Sequence, residues 1–234
     1  MNWLDIVIII MILFSGILGF KRGVFKELIL FIGIILVFIL SYNLKNFIGD
    51  FLVLNFPFFD FANGASALNI ILYQSIAFLL IAVILYTIYE FIVSITGIFE
   101  KILRFTIILG IPSKILGFFV GLIKGVIITY VLLFFITQPS LNLKFARDSK
   151  YANVILTKTP ILNTITNDTL SLVDDIYNLT KIENKNEMNL QIVDLILENK
   201  VTSVNVVQEL VEKGKLNVKN IDTILRKYKE GNND

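Results

Sequence analysis

The sequence predicts an all-α integral membrane protein with four transmembrane helices and a C-terminal extramembrane helical tail. Three observations predict it. The first 138 residues alternate long apolar runs with short charged breaks, the 234-residue chain is 56% hydrophobic, and its mean hydropathy is +0.77. A domain with a water-facing surface tolerates such a mean poorly, so lipid is the expected solvent.

Span one is read from Trp3 to Phe20, with Asp5 its one charge. Eighteen residues reach about 27 Å at roughly 1.5 Å per residue, close to the hydrocarbon thickness of a bilayer. It lacks a basic leading region and a small-x-small cleavage pattern, so it is read as a retained span and not a secretory signal. The break Lys21-Arg22-Gly23-Val24-Phe25-Lys26-Glu27 precedes span two at 28–42. A polar and aromatic loop is expected over Asn43 to Ala67, with Lys45, Asp50 and Asp60, and its Pro57 among phenylalanines suits the headgroup level. Span three is placed at 68–95 with Glu90 in its last third, ended by Gly97.

Over Ile98 to Ile111, residues Phe99, Ile102, Leu103, Phe105 and Leu109 fall near one face. That pattern fits a short interfacial helix or an extension of span three. Pro112 and Ser113 open span four, at 114–137, and Gln138-Pro139 close it. These assignments make 1–138 a four-span domain.

Composition changes at Ser140. Ile161, Ile165, Leu170, Val173, Ile176 and Leu179 trace an amphipathic connector helix within 139–185, and residues 186–234 form a small helical tail. In the tail Ser203 is expected to cap a helix from Val204 to Lys213, ended by Gly214. Asn217 is expected to cap another from Val218 to Glu230, ended by Gly231. A bundle competes with loose segments lying on the membrane.

Lys21, Arg22 and Lys26 lie in the first break and Lys101, Arg104 and Lys114 in the third, against Lys45 alone in the second loop. The positive-inside rule then places both termini on the outer side. A net charge of +2 with scattered basic residues gives no footprint for nucleic acid. The chain has no cysteine and no histidine, which removes thiolate chemistry, the usual base of hydrolytic triads and the common zinc motifs. No G-x-S-x-G, Walker A or G-x-G-x-x-G motif is present, and no cofactor, metal or catalytic residue is expected.

The sharpest local pattern is Gly117-x-x-x-Gly121-x-x-x-Gly125, three glycines in one line along span four. In lipid, where no hydrophobic force drives helices together, small residues at this spacing permit close backbone packing. The stripe can pack internally, against span one with its Ser15, Gly16 and Gly19 or against span two, or it can serve self-association. Asp5, Glu27, Glu90 and Lys124 are ionisable groups in or beside the spans, where a charge is expensive unless paired, wet or at an interface. Lys124 could pair with either Glu27 or Glu90, or snorkel to the headgroups with both carboxylates at helix ends, or line a polar transport path.

Trp3-x-Asp5 at the start of span one, then Gly19-x-x-Arg22-Gly23-x-x-x-Glu27, then the glycine stripe, resemble the colicin V production protein (CvpA) family over about residues 1–140. Glycines flanking Arg22 would permit a tight re-entry between two spans while Arg22 holds the cytoplasmic surface. The resemblance implies a small non-enzymatic bacterial inner-membrane protein with about four spans, linked to production or export of a peptide toxin and to envelope integrity. The partners expected are the lipid bilayer and either a second copy or another membrane protein. The alternative is a small oligomeric channel or secondary transporter subunit using Glu90 and Lys124. The residues beyond about 180 depart from the short family members.

Overall fold

The computed structural model describes residues 2–61, 64–95, 98–137, 144–159 and 162–230, with side chains for all of these except 98–109, 144, 147 and 162–170. All regular structure among the described residues is helical: α1 (Trp3–Arg22), α2 (Val24–Asn55), α3 (Leu68–Ile95), α4 (Ile98–Ile136), α5 (Lys144–Arg147), α6 (Lys150–Lys158), α7 (Leu162–Leu179), α8 (Lys185–Glu198), α9 (Val204–Glu212) and α10 (Ile221–Glu230). Four segments are long and apolar enough to cross a bilayer, namely α1, α2, α3 and Gly110–Ile136 of α4. The protein is a multi-pass α-helical membrane protein.

Two breaks set the span boundaries. Gly23, at φ 77°, separates α1 from α2, a left-handed backbone that a side chain would strain. Gly110, at φ 54°, interrupts α4, and Pro112 follows in the first turn of the resumed helix, where its missing N–H costs no hydrogen bond. Residues 98–109 are helical, but their side chains, and so the apolar face expected there, lie outside the described set. So do the stops assigned to Gly97, Pro139 and Gly231.

Contacts divide the chain into two compact units. One comprises Met1–Asn43, Leu80–Thr137 and Leu143–Ile165. In it α1 packs along α4, and α6 packs on both. In the same unit Tyr89 of α3 lays its ring on Gly33 of α2 and donates a hydrogen bond to the Ile29 carbonyl at 2.6 Å.

The other unit includes Leu44–Leu79 and Thr166–Asp234. Here the structure departs from the expected loop over 43–67, because α2 stays helical to Asn55 and carries Asp50 with it. The apolar residues Leu44, Phe47, Ile48, Phe51 and Leu52 keep a helical spacing through the polar ones, which sustains the helix. This unit also crosses the boundary drawn at 138. Val53, Ile70 and Tyr73 share one core with Met188, Ile192, Ile196, Leu210, Leu216, Ile221 and Leu225, so α8, α9 and α10 form a packed bundle together with the ends of two spans.

Polar side chains register that bundle. The Asn189 amide donates to the carbonyls of Gly64 and Lys185, and its oxygen accepts from the Ala67 N–H at 2.9 Å. Asp50 accepts from Gln74 at 2.8 Å and from Thr202 at 2.7 Å. Ser203 caps α9 as expected, accepting from the Val206 N–H. The last helix begins at Ile221 and not at Val218: residues 215–219 run outside helix so that Leu216 and Val218 can plug the core.

Lys215 closes α2. Its ammonium donates to the carbonyls of Val53 at 3.0 Å, Leu54 at 2.7 Å and Phe56 at 2.8 Å, groups that a helix end leaves without intrahelical partners. Burial, and next the nearby Lys213, hold this amine below the usual lysine range. Replacing Lys215 by Met keeps the apolar stem and removes the donors. It is expected to destabilise this unit by about 1–3 kcal/mol, read as faster limited proteolysis between 166 and 230, with Lys215→Arg largely restoring protection.

Candidate functional site

The candidate site is a glycine seam between α1 and α4 with a polar cluster at each end. The two helices run antiparallel: Gly117 lies against Gly19 and Gly23, Gly121 against Ser15, Gly16 and Gly19, and Gly125 against Ile12 and Ser15. A methyl carbon added at Gly121 would fall 2.5 Å from the Ser15 carbonyl oxygen, and one at Gly125 would fall 2.8 Å from the Ser15 Cβ. At Gly19 and Gly117 each added carbon would strike the other residue's carbonyl oxygen. The obstacles are mostly backbone, which cannot swing aside. Of the arrangements open to the stripe in sequence, this one is internal, with α1 covering all three glycines of α4.

At the Gly23 end, Glu27 is fully buried and forms an ion pair with Lys124, itself 5% exposed. The Arg22 guanidinium lies 3.6 Å from the same carboxylate. Gly23 makes this possible by letting the chain re-enter at once, so that Arg22 on α1 and Glu27 on α2 stand together beside Lys124 on α4. Ser113, fully buried, accepts a hydrogen bond from the Val24 N–H at 3.3 Å and so caps α2 from α4. Glu90 lies on an exposed side of α3 and shares a hydrogen bond with Tyr86. Of the two carboxylates offered to Lys124 by the sequence, Glu27 takes it.

At the far end of α1, Asn2 and Asp5 form a reciprocal capping box. Asp5 is fully buried, and it also accepts from the Ser149 hydroxyl at 2.5 Å and the Tyr151 N–H at 3.0 Å, which ties the start of α6 to the start of α1. The Asn2 amide donates to the Phe145 carbonyl at 2.7 Å, and the Trp3 ring lies 4.8 Å from that of Phe145. Sequence reasoning singled out Asp5 but missed Ser149, whose one signal is a serine three residues before the backbone N–H it caps, that of Ala152. It placed Ser113 at the opening of span four but missed its bond to the Val24 N–H, 89 residues away.

Buried ion pairs at one end, a helix-capping carboxylate at the other and backbone contact between them define a helical membrane scaffold among the described residues. No cluster of metal-ligating side chains occurs among them. A family model described as Colicin V production protein matches residues 4–160, which takes in the seam, α6 and both polar clusters apart from Asn2 and Trp3. The chain belongs to the colicin V production protein family. No curated protein and no solved structure matches it.

The seam and the ion pair can be tested separately. Gly121→Ala is expected to cost about 1–3 kcal/mol, the usual penalty of overpacking, and to lower the melting temperature in detergent, while Phe119→Ala on the exposed side of α4 leaves it nearly unchanged. Lys124→Met leaves Glu27 buried with only the more distant Arg22 and is expected to cost about 3–5 kcal/mol. Adding Glu27→Gln to Lys124→Met should recover much of that loss in the same melt, which a purely steric role for Lys124 would not produce.

Proposed function

We propose that this protein is a non-enzymatic component of the bacterial inner membrane that supports production or export of a colicin V-type peptide toxin and envelope homeostasis, acting by helix packing and partner recruitment. The observation that carries this reading is the locked α1–α4 seam inside the family-matched segment. Its buried charges and Ser113 hold helices together: Asp5 in a cap, Glu27 with Lys124 and Arg22, Ser113 on α2. Such a body serves as a platform. The bundle formed by α8, α9 and α10 with 44–79 offers a surface of its own for a protein partner, and by the positive-inside reading it faces the outer side together with both termini. Self-association would use surfaces other than the glycine stripe, since α1 occupies it.

A small channel or transporter subunit is the second reading, favoured by the buried Glu27–Lys124 pair and by the hydroxyls of Ser15 and Thr129, which are buried without hydrogen-bond partners. Intramembrane ionisable groups mark ion paths in many transporters.

Deleting the gene in a bacterium that makes the protein is expected to lower secretion of a peptide toxin and to raise detergent sensitivity of the envelope. The wild-type copy should restore both, and Gly121→Leu neither. Unchanged secretion and sensitivity in the deletion would reject the proposal. Proton flux in proteoliposomes that Glu27→Gln abolishes would transfer the assignment to transport.

A further inference from the structure

The uninterrupted apolar run of span two, 28–42, holds fifteen residues and reaches about 22 Å at 1.5 Å per residue, well short of a hydrocarbon core of about 30 Å. The helix does not stop there. It continues to Asn55, and Ile32, Leu36, Leu40, Leu44, Phe47 and Phe51 are exposed along one side of it. Phe47 is 80% exposed and Phe51 58%, and the charged residue nearest that side, Asp50, is engaged by Gln74 and Thr202. A water-facing helix seldom leaves two phenylalanines one turn apart so bare.

Several polar residues of this stretch are engaged within the protein, Asn46 by a hydrogen bond to the Lys200 carbonyl at 3.4 Å, and Lys45, two residues from Phe47, falls on the far side of the helix from it. Asp50 is engaged by Gln74 and Thr202, Gly49 lies against Gln74, and Val53 is in the core. Asn43 and Asn55, which flank the aromatic side, each donate back to the carbonyl four residues earlier, Ile39 at 2.7 Å and Phe51 at 2.8 Å. That bond satisfies an amide donor within the helix, where a solvent without acceptors would leave it unmet. From Leu28 to Phe51 the helix rises about 35 Å, which spans the hydrocarbon core with a modest tilt.

We infer that the last third of α2 lies in lipid: the Leu44, Phe47 and Phe51 side is occupied by acyl chains, and span two runs from 28 to 51. Phe56 and Phe59, both exposed beyond the helix end, then fall at headgroup level. The inference stands independently of any role in export, because it concerns which solvent covers one helix face.

The chain has no cysteine, so single labels are unambiguous. Phe47→Cys, Phe51→Cys and, as a water-exposed control on α8, Gln191→Cys are labelled with bimane in the full-length protein. Each is then reconstituted into phosphatidylcholine–phosphatidylglycerol vesicles. Doxyl-labelled lipid should quench positions 47 and 51 several-fold more than 191, and aqueous iodide should do the reverse. Strong iodide quenching at both phenylalanine positions would overturn the proposal in favour of water. Protection from both quenchers, with the unlabelled Phe47→Cys variant crosslinking between copies, would overturn it in favour of a protein interface. A label on the Leu44→Cys variant repeats the test if either phenylalanine variant fails to reconstitute.

Discussion

Backbone-to-backbone contact between α1 and α4 is the constraint on which the membrane part of this protein rests. Lipid offers no gain for burying leucine against leucine, so helices must hold together by dispersion at short range and by satisfied polar groups. Glycine on both partners brings the axes close enough for carbonyl oxygens of one helix to stand where the other's Cβ atoms would be. Lipid-facing residues on the same helices, such as Phe14 and Phe119, remain exposed and free of that requirement.

The polar clusters make sense only once the seam is closed. Lys124 lies within the stripe, three residues after Gly121, and Glu27 follows Gly23 by one turn, so the antiparallel register that matches Gly117 to Gly23 also sets the ammonium beside the carboxylate. A shift of one turn would bury both charges apart, at a cost of several kcal/mol per ion. The pair therefore fits one register of the seam, as the Asp5 cap does at the other end by accepting from a segment more than 140 residues away.

Much of this is legible in the sequence because lipid simplifies the code. Long apolar runs, the glycine spacing, and Asp5, Arg22, Glu27 and Lys124 as the expensive groups can be read off by length, period and charge. What escapes depends on contacts between distant segments. Ser113 and Ser149 are ordinary serines until a helix end is brought to them. The stretch 43–55 reads as a loop because Asn, Lys and Asp lower its hydropathy, yet those of its side chains at 43, 50 and 55 fold onto the helix or onto Gln74 and Thr202, which a local average cannot detect. Leu216 and Val218 delay the last helix for a related reason: their burial in a shared core outweighs the capping preference of Asn217.

The same shared core changes how the C-terminal third should be understood. The family match ends at residue 160, which invites a view of later helices as an appendage. Yet Val53, Leu68, Ile70 and Tyr73, all within the match, are buried by residues of α7 to α10, and the carbonyls that end α2 are met by Lys215. Removing the tail would uncover apolar side chains and helix-end carbonyls together, each costly to expose or to leave unpaired. The tail is thus part of how the second and third spans are finished, and a functional role for its outer surface has to be separated from this structural one by changing exposed residues and not by truncation.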